Sequence, residues 1–303
     1  MGELRFDGRV AVITGAGRGL GRAYALLLAA RGARVVVNDI GGSLGGDGVD
    51  DGPAAEVVAE IRSAGGEAVA CTESVATSAG GQAIVEAALD QYGRVDILIH
   101  NAGNVRRSPL KDMSQEDFDA VLDVHLRGAF HVLRPAFARM CADKYGRIVL
   151  TSSIGGLYGN QLVANYSVSK AGLVGLSHVA AIEGAADGVR SNVIVPAAVT
   201  RMAEGIDTSA YPPMDPDLVA PTVGWLAHEH CSVTGELLVS IAGRVARAYV
   251  AETPGVYRPS WTIEAVEENL AEIRESATPL CFPTLTGFGQ HIGYSFERAK
   301  QGR

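Results

Sequence analysis

A short apolar run, Val10 to Thr14, opens into the turn Thr14-Gly15-Ala16-Gly17-Arg18-Gly19-Leu20-Gly21, passes into a helical stretch from Ala23 to Ala30, and is followed by a second β-branched run, Arg34 to Asp39. A strand, a glycine turn, a helix and a strand in such close order point to a parallel pair joined by a crossover, because parallel neighbours cannot be joined by a hairpin. The alternation continues with Ala54 to Ser63 helical, Ala68 to Cys71 extended, Gly81 to Gln91 helical, Val95 to His100 extended, Ser114 to Ala142 helical and Gly146 to Ser152 extended. Ala164 to Ala186 predicts a long helix, Ser191 to Pro196 a sixth strand, Val219 to Ala227 a helix and Leu237 to Ile241 a seventh strand. The expected fold is α/β, a doubly wound seven-stranded parallel sheet flanked by helices. Apolar residues at 47% with aromatics at only 6% and 37 glycines suit strands buried on both faces.

The pattern divides the 303 residues into a main domain, 1–245, and a C-terminal extension, 246–303. In the extension only Thr262 to Ser276 looks regular, with Ile263, Val266, Leu270 and Ile273 spaced as one amphipathic helix that must bury its apolar face somewhere. Two segments interrupt the main domain. Residues 41–52 carry six glycines and three aspartates and read as a surface loop, and residues 200–221, with four prolines, read as a long and therefore functional loop. The charge balance of 26 basic against 34 acidic residues, −8 net, disfavours nucleic acid as a partner. Four scattered cysteines, Cys71, Cys141, Cys231 and Cys281, show no Cys-x-x-Cys spacing, so a reducing, cytoplasmic setting without disulfides is expected. No apolar run approaches the roughly 20 residues of a membrane span, and no targeting signal is visible at either end.

Chemistry concentrates where strands end. The glycines at 15, 19 and 21 lie between strand and helix, where backbone N–H groups can approach a pyrophosphate at the positive helix end. Asp39, 24 positions after Gly15, can accept both hydroxyls of an adenosine ribose and would repel a 2′-phosphate, which favours NAD over NADP. Arg18 argues the other way if it pairs with such a phosphate, but it could equally lie on the solvated start of the helix. Asn101-Ala102-Gly103 ends the strand Val95 to His100 on the same edge, a small-residue turn with room for a ring. Tyr166 and Lys170, four apart on a helix, share one face, so the ammonium is expected to draw the phenol's pKa down toward general-base range. Ser153, thirteen residues before Tyr166, can orient a carbonyl or alcohol oxygen.

These residues in this order resemble the short-chain dehydrogenase/reductase family, with its Rossmann-like fold, over about residues 5 to 245. A narrower resemblance is to the 3-hydroxyacyl-CoA dehydrogenase part of peroxisomal multifunctional enzymes of type 2 (17-beta-hydroxysteroid dehydrogenase type 4-like). It is carried by Val37-Asn38-Asp39-Ile40-Gly41-Gly42, Val124-His125-Leu126-Arg127-Gly128, Tyr158-Gly159-Asn160, Ala164-Asn165-Tyr166-Ser167, Ala181-Ile182-Glu183-Gly184 and Arg201-Met202. The resemblance implies coenzyme contacts from Gly15, Arg18, Gly19, Leu20, Gly21, Asp39, Ser74, Val75, Asn101, Ala102, Gly103, Tyr166, Lys170, Pro196 and Val199. It implies catalysis by Ser153, Tyr166 and Lys170, with Ser153 and Tyr166 also touching substrate, and a fourth member, His125, where most of the family carries Asn. Pro196-Ala197-Ala198 stands where many relatives have Pro-Gly. No hydratase or sterol-carrier segment is expected to follow.

The activity this implies is NAD-dependent oxidation of a secondary alcohol in lipid metabolism, a fatty or steroid 3-hydroxyacyl-CoA, by a homodimer or homotetramer. A free hydroxysteroid is the alternative substrate and a non-catalytic nucleotide-binding scaffold the alternative role. Arg106 and Arg107, on the loop after Asn101-Ala102-Gly103, are either a solvated pair or an anchor for the phosphates of coenzyme A. His228-Glu229-His230-Cys231 has the wrong spacing for a metal site, and none is expected; His100, His131, His178 and His291 read as structural or solvent-facing.

Overall fold

A computed structural model describes residues 2–200, 207 and 210–302. The chain divides into two compact units, Met1–Arg247 and Ala248–Arg303. In the first, β1 (Val10–Thr14), β2 (Arg34–Asn38), β3 (Glu67–Cys71), β4 (Ile97–His100), β5 (Gly146–Thr151), β6 (Val189–Ala197) and β7 (Leu237–Ile241) pair in parallel. The helices between them are α1 (Gly19–Ala30), α2 (Gly52–Ser63), α3 (Ser78–Tyr92), α4 (Gln115–Leu122), α5 (Gly128–Ala142), α6 (Ile154–Tyr158), α7 (Ala164–Gly184) and α8 (Ala220–Ala227).

Side chains alternate across the pleat, so each strand feeds two cores. Ile13, Val35, Val37, Ile97 and Ile99 face a layer formed by Tyr24 and Leu28 of α1, Val57 and Ile61 of α2, and Val223 and Leu226 of α8. Val12, Val36 and Leu98 face the opposite layer, with Ile84 of α3, Val132 and Met140 of α5, and Leu173 of α7. Each fully buried aliphatic side chain contributes about 1.5–3 kcal/mol, which is what holds helices on both faces of the sheet.

The structure departs from the expected seven strands by adding an eighth, β8 (Arg244–Ala248), in the order β3-β2-β1-β4-β5-β6-β7-β8. It follows β7 through Ala242 and Gly243, both at positive φ (48° and 78°), the geometry of a two-residue hairpin turn. The helix expected over Ser114 to Ala142 is interrupted by a π-helical turn, Asp123–Arg127, which carries His125. Arg201 and Met202, and much of the 200–221 loop, lie outside the described residues. No helix among the described residues is long and apolar enough to cross a membrane.

In the second unit the helix expected at Thr262 to Ser276 is two short ones, α9 (Ile263–Glu268) and α10 (Leu270–Ile273). Thr262 caps α9 by accepting the Ala265 N–H at 3.1 Å, and Asn269 breaks the run by donating its side-chain amide to the Ala265 carbonyl at 2.7 Å. Ala265 is buried while Ile263 is 86% exposed, so the expected apolar face is not the one that packs. A further helix, α11 (Gly287–Gln301), was not expected.

Candidate active site

Strand register places the site. Thr14 pairs with both Asn38 and His100, and His100 pairs with Leu150, so Gly15, Asp39, Asn101 and the Thr151-Ser152 pair leave the sheet along one edge. This edge, at the point where the strand order reverses between β1 and β4, is where a doubly wound sheet binds its ligand. One cleft there is lined by Gly15, Arg18, Gly19, Leu20, Asp39, Ser74, Val75, Asn101, Ala102, Gly103, His125, Tyr166, Lys170 and Pro196.

Close backbone approach explains the glycines. A Cβ on Gly15 would stand 2.7 Å from the Ala102 Cα, and Gly15 has φ +63°. A Cβ on Gly21 would meet the Gly15 carbonyl oxygen at 2.1 Å, so Gly21 acts by packing α1 onto the turn and is not itself in the cleft wall. Asp39 accepts the Gly17 N–H at 2.8 Å on one carboxylate oxygen and the Gly41 N–H at 2.7 Å on the other. Each oxygen keeps capacity for a ribose hydroxyl. Arg18 is exposed at the cleft edge. The far wall is Ala197, Ala198 and Thr200, rather than Val199, which is 41% exposed and bonds its N–H to the Met214 carbonyl at 2.7 Å.

Among the cleft residues, Asn104 Oδ1, His125 Nδ1 and Thr151 Oγ1 are buried without a hydrogen-bond partner in the protein. Together with the glycine cradle and the open lone pairs of Asp39, this unspent polar capacity fits a bound dinucleotide.

At the end of the cleft that holds Tyr166, the Ser153 side chain lies near the phenol, and its Oγ accepts the Gly155 N–H at 3.1 Å. Lys170, buried, donates to the Thr151 carbonyl at 2.5 Å and lies 5.5 Å from the Tyr166 ring centre. The expected lowering of the phenol's pKa by Lys170 is not what the protein alone shows. Burial raises Tyr166 above its ordinary value and only the nearby Ser153 side chain opposes it, while burial depresses Lys170 to about 7. Desolvation disfavours both charged forms, so a half-neutral lysine is a weak partner for the phenolate.

Behind the site, Thr14 Oγ1 accepts the N–H groups of Asn101 and Ala102, both at 3.1 Å, so its own hydrogen must go to His100 Nδ1, 3.1 Å away. That leaves the His100 proton on Nε2, facing the His125 carbonyl at 3.2 Å. Burial holds His100 down to about 3 and His125 well below its ordinary value, so both imidazoles are neutral. His125 Nε2 is 2.8 Å from the Asn104 carbonyl, and its ring meets Tyr166 edge-on at 5.2 Å. The placement of Asn104 in the cleft wall and of His100 behind it had no local signal, because their partners lie far along the chain.

Arg106 and Arg107 do not line this cleft. Arg107 is exposed, but Arg106 is committed to Gly45, Asp47 and Asp117, which corrects its reading as a free anchor for phosphate. His228 and Glu229 are likewise engaged, with the Arg5 carbonyl at 2.9 Å and Arg9 at 3.0 Å.

Fold and site together define a nicotinamide-dependent oxidoreductase acting on CH–OH groups. Residues 9–209 match the family described as short chain dehydrogenase, and the chain belongs to it. It is 49% identical, over 88% of its length, to peroxisomal multifunctional enzyme type 2 of Drosophila melanogaster, of which it spans 45%. It is 38% identical over 85% of its length to hydroxyacyl-CoA dehydrogenase ChsB1 of Mycobacterium tuberculosis, of which it spans 80%. The structure of the full-length Drosophila enzyme superposes with a TM-score of 0.81 at 39% identity, covering 99% of this chain and 51% of that one. A 7α-hydroxysteroid dehydrogenase solved with NADH and 7-oxo glycochenodeoxycholic acid superposes with a TM-score of 0.73 at 29% identity, covering 80% of this chain and 98% of that one.

Proposed function

We propose that the chain oxidises the 3-hydroxyl of a fatty or steroid acyl-CoA to the ketone, with NAD as the acceptor. The observation that carries this is one cleft with Asp39 at one end and His125, Tyr166 and Lys170 at the other, with the Ser153 side chain near the Tyr166 phenol. NAD supplies the hydride acceptor when bound. Ser153, whose Oγ already accepts a backbone N–H, has its hydrogen to donate to the substrate oxygen. Tyr166 as phenolate takes the hydroxyl proton while the carbinol carbon gives up its hydride, so the alcohol leaves as a ketone and one proton reaches solvent. Lys170 is held against the Thr151 carbonyl in the cleft lining, where it would hold the coenzyme's ribose and where its charge, when protonated, favours the phenolate.

Asp39 supports NAD over NADP by charge repulsion. The name of the mycobacterial relative, matched over most of its length, supports the hydroxyacyl-CoA substrate. The solved 7α-hydroxysteroid dehydrogenase favours a second reading, a free hydroxysteroid. Initial rates of NADH formation with 3-hydroxyacyl-CoAs and with hydroxysteroids separate the two: higher kcat/KM for the CoA esters is expected, and the reverse order would replace the first reading with the second.

The homo-oligomer is supported by an apolar stripe on α7, Val168, Ala171, Gly175, Val179 and Ile182, exposed at helical spacing, with exposed Phe130 on α5. A contiguous exposed apolar stripe of this kind supports a self-association surface. A cytoplasmic setting rests on the four unpaired cysteines, and cell fractionation tests it against the peroxisomal setting named for the Drosophila relative.

A further inference from the structure

The glycine-rich loop, residues 41–52, is tied down at its middle. The Leu44 carbonyl accepts the Val105 N–H at 3.0 Å. The Gly45 carbonyl accepts Arg106 Nε at 3.1 Å, and Asp47 Oδ1 accepts Arg106 Nη2 at 3.1 Å. The remaining nitrogen, Nη1, reaches Asp117 Oδ1 on α4 at 3.2 Å. All three guanidinium nitrogens are thus used, on two separate segments, in a planar fork that a lysine could not reproduce.

The inner side of this loop, Gly42, Ser43 and Gly46, forms part of the same cleft wall as Asp39 and His125. Behind Arg106, the buried Asn165 donates its amide to the Arg106 carbonyl at 3.1 Å and the Asp117 carbonyl at 2.9 Å, while its Oδ1 accepts the Tyr166 N–H at 2.8 Å. The clamp is therefore anchored on the start of α7, beside Tyr166.

We propose that Arg106 is a positioning residue that holds loop 41–52 closed as a wall of the coenzyme cleft, so that NAD meets a preformed site. A twelve-residue segment with six glycines has a large conformational freedom to lose. Unclamped, it populates open forms, and apparent affinity falls by the fraction of molecules that are closed. The proposal rests on the reading of the cleft as an NAD site.

The test uses the full chain with NAD alone, by calorimetry, together with amide hydrogen exchange over residues 42–48 and initial rates. Arg106→Gln and Asp47→Asn, the latter a change at a side chain 77% exposed and so unlike a folding lesion, are each expected to raise the NAD Kd about fivefold and speed exchange in the loop. KM for NAD should rise with Kd, and kcat should fall by a smaller factor. The double variant should be no worse than Arg106→Gln, because both remove one clamp. Unchanged Kd in both single variants, or additive losses in the double, would overturn the clamp while leaving the coenzyme reading in place. A wild-type chain that binds no NAD would overturn the coenzyme reading and the clamp with it.

Discussion

Tyr166 and Lys170 share a face of α7, yet burial moves their pKa values in opposite directions, the phenol up and the ammonium down to about 7. Tyr166→Phe keeps the ring and removes the proton-accepting oxygen, so turnover should fall by about 10²-fold or more with NAD affinity retained; rate measurements beside a binding isotherm check it. For Lys170 the sign follows from linkage. The unfolded lysine keeps its proton to about 10.4, whereas the folded one loses it near 7, so the unfolded state binds more protons between these values and stability rises with pH across that window. Thermal unfolding of the coenzyme-free protein from pH 7 to 9 should show this rise in the wild type and a flatter profile in Lys170→Met. Asp39→Ala should weaken NAD binding and narrow the gap to NADP, read from the two Kd values. Asp39, Tyr166 and Lys170 were legible in the sequence because their spacing along a strand or helix is local. Arg106 was misread because its partners lie 61, 59 and 11 residues away.

The same contrast holds for elements. β1, β2, β4, β5 and β6 announce themselves as apolar runs because both faces of each are covered, and α1, α2 and α3 carry their apolar residues at regular spacing. β8 has two arginines and follows a turn with Ala at a left-handed position, so neither its composition nor its turn gave the usual hairpin signal. The π turn at Asp123–Arg127 widens a helix by little enough that apolar spacing still reads as continuous. α11 was hidden by its glycines, Gly287, Gly289 and Gly293, which are poor helix formers between Phe288, Ile292 and Phe296. At the first strand-to-helix turn, Gly15→Val would force a Cβ onto the Ala102 backbone and strain a positive φ. Loss of detectable NAD binding with a lowered Tm is expected, by calorimetry and thermal unfolding.

For the molecule as a whole, the exposed stripe on α7 should mediate self-association. Val179→Asp places a charge within it and should shift the protein to monomer in sedimentation or light scattering; an unaltered oligomer would locate the interface elsewhere. The account as a whole turns on whether Asp39, Ser153, Tyr166 and Lys170 act as one alcohol-oxidising unit. The most direct measurement is NADH formation from 3-hydroxyacyl-CoA with NAD and with NADP, in the wild type and in Tyr166→Phe. Rapid reduction of NAD, little of NADP, and a loss of about 10²-fold in the variant is the expected result. No reduction with any alcohol, or equal turnover in the wild type and the variant, would contradict it.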